Sequence, residues 1–340
     1  MYHRTPHRGR RAFGSGDGPT LLVASTGGHL EEMVRLRERM GPQLGEVEWA
    51  TFDDDQSRGV LHGEVVHHVA YIPPRGYREL LRAGLPTIRM LRRGGYRAIV
   101  STGAGVALPF FAAGRALGIP CHYIESAARA DKPSLTGSLA EHIPGVRLYS
   151  QYETLATGRW SYAGSLFDGY EAESAQAAPR GDRGAQRVVV SLGTMRTYGF
   201  RRAVERLVET LPEVTSADAE VLWQTGATDL AGLGVRGRGL IPADELRAAV
   251  AEADLVVAHG GIGSALMALD SGHAPVLLPR RARHHEHVDD HQSYICQALD
   301  ARGIAVGREV SDLGVEDLWR AYNTRVGVSG DPAPLTLKVA

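Results

Sequence analysis

Nine residues in this sequence, His284 to Gln292 (HHEHVDDHQ), hold four histidines and three carboxylates. Imidazole and carboxylate are good ligands for zinc or iron. His284, His287 and His291 are spaced i, i+3, i+7, so a helix would line them up on one face. The same residue types could instead form a catalytic cluster. A solvated polar loop is the third reading. Two further residues have the chemistry of a base. His29 follows a glycine turn, and its imidazole titrates near neutral pH; its structural alternative is helix capping. Glu125 ends the apolar run CHYIES, where a carboxylate is unusual unless paired or used; an ion pair with Arg129, one turn later, is the alternative to a catalytic role.

Three glycine turns follow apolar runs: Thr26-Gly27-Gly28-His29 in VASTGGHLEEM, Gly193-Thr194 in VSLGTMRTYGF, and His259-Gly260-Gly261 with Gly263 and Ser264 in VVAHGGIGSALMAL. Small residues let a backbone approach a ligand closely, and a following helix offers free N–H groups and a positive dipole end that suit phosphate. None is a P-loop, and GGIGS is not the full dinucleotide fingerprint. A single turn of this kind can be mere tight-turn geometry. Three of them at strand ends favour a phosphate-bearing ligand.

The elements that would position these turns alternate along the chain. Residues 20–25, 97–102, 121–126, 187–193, 219–226, 254–261 and 274–279 read as buried strands, and their near-continuous apolar character points to parallel strands covered on both faces. Helical patterns such as EEMVRLRERM and GFRRAVERLVETL lie between them, giving a doubly wound α/β architecture. The pattern lapses over 168–186, read as a linker. The division is a flexible arm over 1–19, one Rossmann-like domain over 20–167, a second over 187–325 and a tail over 326–340, with ligands expected in a cleft beyond the strand ends.

Composition narrows the class. The 340 residues are 43% hydrophobic and 23% charged with a net charge of −1, which argues against nucleic acid as the main partner. Cys121 and Cys296, far apart and in apolar surroundings, predict no disulfide and fit a cytoplasmic location. No run of eighteen apolar residues occurs, so no single spanning helix is expected. Residues 73–97 carry seven arginines among Leu, Ile and Met, with Glu79 the only acid. Such a surface suits peripheral contact with an anionic membrane; a packed helix pair with a solvated basic face is the alternative.

The segments VASTGGHLEEM, STGAGVALPFFAAGRALGIPCHYIESAAR and SLTGSLA resemble the acceptor-side subunit of the eukaryotic enzyme that adds the second N-acetylglucosamine to dolichol-diphosphate-linked sugar. VVVSLGT, WQTG, AEADLVVAHGGIGSALMALDSGHAPVLLPR and HVDDHQ resemble its donor-side subunit, and both halves are similar to MurG, of glycosyltransferase family 28 type. This resemblance, over roughly residues 20–310, implies a GT-B fold, two Rossmann-like domains facing across a cleft, and inverting transfer of a hexose or N-acetylhexosamine from a UDP-sugar to an acceptor hydroxyl. The acceptor implied is a polyprenyl-diphosphate-linked sugar in polysaccharide, including exopolysaccharide, or glycolipid biosynthesis; a small-molecule acceptor is the variant. No metal cofactor is expected. A UDP-N-acetylglucosamine 2-epimerase-like isomerase and a non-catalytic sugar-nucleotide-binding module are the alternatives.

Charge on a leaving diphosphate must be neutralised, and amides at Gly261, Gly263 and Ser264 with the hydroxyl of Thr194 could do so. The resemblance implies that main-chain groups at Ile241 hold the uracil and that Asp290 and Gln292 bind sugar hydroxyls, with Gln224 lining the same site beside Gly193 and Gly260. It also points to a ribose-binding glutamate where this chain has Met267. His259 reads as structural or near the diphosphate. His29 is the first candidate base, its competing role being the acceptor's diphosphate beside Thr26, Gly27 and Gly28; Glu125 is the second.

Overall fold

The computed structural model describes residues 18–73, 76–173, 184–195, 197–328 and 332–338. Most of the expected arm, residues 174–183 of the expected linker, and parts of the expected tail lie outside them. The chain separates into two compact units, one of residues 18–126, 132–166 and 333–338, the other of 127–131 and 167–332.

In the first unit, the strands β1 (Thr20–Val23), β2 (Val47–Thr51), β3 (Val66–His68), β4 (Ala98–Ser101), β5 (Cys121–Ile124), β6 (Val146–Ser150) and β7 (Trp160–Tyr162) form a parallel sheet. Its order is β3-β2-β1-β4-β5-β6-β7. The helices α1 (Gly28–Met40), α2 (Asp55–Val60), α3 (Tyr77–Gly94), α4 (Ala107–Ala116) and α5 (Leu135–Glu141) lie in the connections. All four residues of each of β1, β4 and β5 are buried, as apolar strands covered on both faces must be. Helix α1 buries Leu30, Met33, Leu36 and Met40 on its inner side. The order reverses between β1 and β4, and in open α/β sheets that reversal opens a crevice beyond the strand ends.

The second unit repeats the plan. Strands β9 (Ala185–Ser191), β10 (Thr215–Gln224), β11 (Leu255–His259), β12 (Val276–Leu278) and β13 (Val306–Gly307) pair in parallel in the order β10-β9-β11-β12-β13. Helices α6 (Arg201–Thr210), α7 (Ala243–Ala251), α8 (Ile262–Asp270), α9 (His291–Ala301) and α10 (Val315–Asn323) accompany them, and β8 (Tyr170–Ala172) pairs antiparallel with β14 (Val326–Val328). Here the order reverses between β9 and β11. The expected doubly wound α/β fold with two Rossmann-like sheets is thus what the chain adopts.

Two local expectations are corrected. Residues 73–97 do not form a helix pair: Tyr77–Gly94 is one helix with Pro86 inside it. Pro86 is exposed, so water can satisfy the carbonyl that a proline cannot reach. Residues 333–338 pack on the first unit, where Leu335 and Leu337 are buried. Gln43 donates to the Leu335 carbonyl at 2.5 Å, and the Leu337 and Lys338 amides donate to Gln43 at 3.1 Å and to the Tyr149 hydroxyl at 2.9 Å. Among the described residues, no helix is long and apolar enough to cross a membrane. Cys121 and Cys296 are buried and unbridged.

Close packing of α4 on the sheet depends on Gly114. A Cβ there would lie 2.6 Å from Ile99 Cδ1 and 2.9 Å from Cys121 Sγ. Gly114→Val should therefore overpack this contact and destabilise the unit by about 1–3 kcal/mol, measured as a lower midpoint in chemical denaturation; an unchanged midpoint would contradict the packing.

Candidate active site

The site residues of the first unit gather at its sheet reversal. β1 leads into Thr26, Gly27 and Gly28, and His29 stands in the first turn of α1, half-buried. β4 leads into Thr102, whose hydroxyl donates to the His29 carbonyl at 3.1 Å. β5 leads into Glu125. The three loops meet around Gly103: a Cβ there would lie 3.1 Å from the Tyr123 hydroxyl and 3.5 Å from His29 Cε1. The Tyr123 hydroxyl in turn donates to Glu125 Oε1 at 2.9 Å. The parallel sheet thus sets the loops of His29 and Glu125 on either side of the loop after β4, although the two residues are far apart in the sequence.

The surroundings of the two differ. Glu125 is 2% exposed. Burial raises its pKa, against hydrogen bonds from the Ser134 amide, Tyr123 and the Ser126 amide that favour the charged form. The expected alternative, an ion pair with Arg129, does not form; Arg129 Nη1 sits 3.0 Å from Asp289 Oδ2 instead. Glu125 spends its oxygens on the turn that starts α5, whereas the ring of His29 is partly open. The Gly27 amide, expected as an anion ligand, donates to Gln56 Oε1 at 2.5 Å, and Thr26 bonds the carboxylate of Asp54.

In the second unit, the glycine turns after β9 and β11 close on the imidazole of His259. A Cβ on Gly193, which has φ 84°, would lie 2.9 Å from His259 Cε1, and a Cβ on Gly261 would lie 2.4 Å from Nε2. No other residue type leaves the ring this space. Nδ1 lies 3.4 Å from the Ser191 carbonyl and 3.5 Å from the Ser264 hydroxyl. Burial, then the charge of Arg280, pushes the His259 pKa down to about 4, so the ring is neutral near pH 7.

Donors at this turn differ from those expected. The Gly260 amide is given to Leu278 at 3.0 Å and the Gly261 amide to the His259 carbonyl at 2.7 Å. The first backbone bond into α8 runs from the Ala265 amide to the Gly261 carbonyl, 3.0 Å, so the amides of Ile262, Gly263 and Ser264 have no intrahelical acceptor. Gln224 is buried and bridges the sheet: its amide donates to Ser191 Oγ at 3.1 Å, and its oxygen accepts from the Ile241 amide at 3.0 Å. Gln224 thus positions the Ile241 loop from beneath.

A cavity of about 270 Å³ lies here, lined by Leu192, Gly193, Thr194, Met195, His259, Arg280, His287 and Gln292. Arg280, which sequence reasoning did not single out, is 1% exposed and donates to the carbonyls of Leu192 (2.6 Å), Tyr198 (2.9 Å) and Glu286 (3.2 Å). Its own amide donates to Gln292 Oε1 at 3.0 Å. Glu286, also buried, takes both arms of Arg202 at 3.1 and 3.0 Å. In sequence Arg280 follows Pro279 at the end of PVLLP, and a lone arginine there carries no pattern that marks it as buried.

The 284–292 stretch does not form one helical face. Ala282–His284 is a single 3-10 turn, His285 has φ 55°, and α9 begins only at His291. His284 and His285 are exposed. Instead Asp289 sits between His287 and His291, accepting a hydrogen bond from the latter ring. Burial acts to raise the Asp289 pKa, but His291 and Arg129 carry it down to about 2. Asp290 Oδ1 accepts from the Ala282 amide at 2.9 Å, so that oxygen shapes the turn.

Comparison with known proteins sets the chain beside glycosyltransferases. Residues 187–313 match the glycosyltransferase family 28 C-terminal domain. A UDP-N-acetylglucosamine–N-acetylmuramyl-(pentapeptide) pyrophosphoryl-undecaprenol N-acetylglucosamine transferase of Nitratidesulfovibrio vulgaris is 33% identical over 149 residues, 41% of this chain, and the match spans only 38% of that relative's length. The Halorhodospira halophila protein of the same description is 27% identical over 278 residues, 79% of this chain and 73% of its own. The crystal structure of Acinetobacter baumannii MurG superposes with a TM-score of 0.60 at 18% identity, covering 89% of both chains. The fold is that of the GT-B glycosyltransferase structures, and the chain is similar to MurG-type proteins. Within it, the second unit carries a family 28 C-terminal domain.

Titration of His259 provides a check on its enclosure. Its folded pKa, about 4, lies below the unfolded value near 6.5, so the unfolded chain binds the proton first. Stability should be unaffected by this group above pH 6.5 and fall as pH drops from about 6.5 to 4, by at most about 3 kcal/mol. His259→Asn should flatten that part of the pH–stability curve; an unchanged slope would place the ring in water.

Proposed function

We propose that the chain is an inverting glycosyltransferase that moves a hexose or N-acetylhexosamine from a UDP-sugar to an acceptor hydroxyl. The acceptor we favour is a polyprenyl-diphosphate-linked sugar in polysaccharide or glycolipid biosynthesis. The observation that carries this reading is the enclosure of His259 between two glycine turns. Beside that ring lie a cavity lined in part by Thr194 and His259 and the start of α8, whose Gly263 and Ser264 amides lack an intrahelical acceptor. In the reaction, His29 takes the proton of the acceptor hydroxyl as its oxygen bonds the anomeric carbon. The bond from that carbon to the diphosphate breaks on the opposite face, and UDP leaves with the electron pair. Negative charge growing on the diphosphate is met by the amides and by the helix dipole of α8, none of which requires a metal. Because His259 is neutral, it serves as a spacer and not as a counter-charge.

Gln292, held by Arg280, faces the cavity and would read the sugar, with Asp290 at its edge. The Ile241 carbonyl would meet the uracil, its amide being taken by Gln224. Glu125 acts in this reading by fixing Tyr123 and Ser134 around His29. Peripheral contact with an anionic membrane is supported by α3, which exposes Leu81 and Leu85 at 80% and 66% beside Arg78, Arg82, Arg89 and Arg92. Apolar side chains flanked by cations are the pattern of interfacial helices.

Two measurements test the proposal. UDP should raise the melting temperature, since a ligand of the native state alone stabilises it. His29→Ala should leave that shift intact while lowering turnover at least about a hundredfold; a loss below about tenfold would remove His29 as the base. Incubation with a UDP-hexosamine and no acceptor should yield no epimer, and appearance of one would favour the isomerase. Separately, Leu81→Asp with Leu85→Asp should abolish sedimentation with phosphatidylglycerol vesicles without altering UDP stabilisation. Retained sedimentation would exclude α3 as the membrane contact.

A further inference from the structure

The structure assigns a use to a histidine–carboxylate cluster that the transfer reaction above leaves idle: we propose that His287, Asp289 and His291 form a binding site for a divalent transition metal of the zinc class. Each offers one donor atom, and these atoms all lie within 4.8 Å of one another. His287 Nδ1 lies 3.4 Å from Asp289 Oδ1. Metal–ligand bonds of about 2.0–2.1 Å in a tetrahedron place ligand atoms about 3.3 Å apart, so this edge is already the right length. The ring of His291 also turns Nδ1 to the same carboxylate oxygen, and an ion would replace the shared proton there.

Three features fit a built site better than a chance cluster. The rings of His287 and His291 stand edge to face, 81° apart with centroids 4.8 Å apart, so their ring planes cross and do not stack. Asp289 has its second oxygen held by Arg129 at 3.0 Å, leaving Oδ1 as a single-point ligand with an oriented outer partner, as ligating carboxylates commonly have. The side chains of His287 and His291 are 10% and 17% exposed, sheltered but reachable. Alternate residues 287, 289 and 291 converge because the chain bends through 286–290 before α9 begins; a helix would have separated 289 from the other two.

The donor set selects the ion. Two imidazoles and one carboxylate suit zinc or cobalt, whereas magnesium and calcium prefer oxygen alone. Three protein ligands leave a fourth position for water or an anion. His287 also lines the cavity with Gly193, Thr194 and Gln292, so an occupied site would add positive charge at the cavity wall. Binding of the metal does not depend on the donor reading of that cavity.

The test uses the full chain stripped with chelator, titrated with Zn²⁺ by calorimetry and with Co²⁺ by visible absorption. One saturable equivalent is expected, with the intense ligand-field bands of four-coordinate cobalt and no saturation by Mg²⁺. His287→Asn with His291→Asn, which removes two ligands, should lower the Zn²⁺ affinity at least about a hundredfold, while Arg129→Gln, which removes only the outer partner, should cost about tenfold. No saturable Zn²⁺ binding, or binding undiminished in the double variant, overturns the proposal. Should the double variant not fold, zinc-edge anomalous scattering from crystals of the unaltered chain decides: a peak bonded to the three atoms supports the site, and a peak elsewhere or none refutes it.

Discussion

An aromatic ring in the space of two absent side chains organises the second unit. His259 ends a central strand, and the loops after β9 and β11 approach its imidazole from both sides because Gly193 and Gly261 carry no Cβ. Any larger residue at either place would push the ring or the loop. The start of α8 depends on that fit, since Gly261 caps the helix and returns its amide to the His259 carbonyl. From one packing constraint follow the direction of the helix dipole and the set of amides left over for a ligand.

Around this ring, buried polarity does the remaining work of shape. Arg280 gathers carbonyls from the connection after β9 (Leu192 and Tyr198) and from the turn before α9 (Glu286), which apolar packing could not do because unpaired carbonyls in the interior are costly. The Glu286 carboxylate offsets that charge directly, and it also accepts from Arg202 and the Arg281 amide. Gln224 does the same on the other side of β9 for the Ile241 loop. In the first unit, Glu125 is the corresponding hub, tying β5 to the start of α5. Residues that look reactive in sequence are in several cases those that hold loops in place.

Much of the architecture was legible. Apolar runs such as VVVS and LVVAH could only be strands covered on both faces, and their alternation with helical periods fixed the α/β class. Short or mixed strands were not legible: Val66–His68 and Trp160–Tyr162 have three residues each, too few for a period to show. The glycine turns were found because their spacing carries the signal. What the turns do was only half visible, because a sequence shows that Gly261 can approach something and not that the something is His259. The 284–292 stretch was read through helical spacing, and a left-handed residue at His285 broke that assumption. Arg280 escaped notice because a lone arginine after a strand has no pattern to betray its burial.

The short segment 333–338 bears on how the molecule is made. Leu335 and Leu337 fill places on the first unit beside Gln43 and Tyr149, yet residues 167–332 of the second unit are translated between those partners and the segment. At roughly 5–20 residues per second, a nascent first unit waits on the order of ten seconds with that apolar patch uncovered. Ribosome-bound chains halted before residue 333 would carry a sticky, incomplete lobe, the natural client of a chaperone.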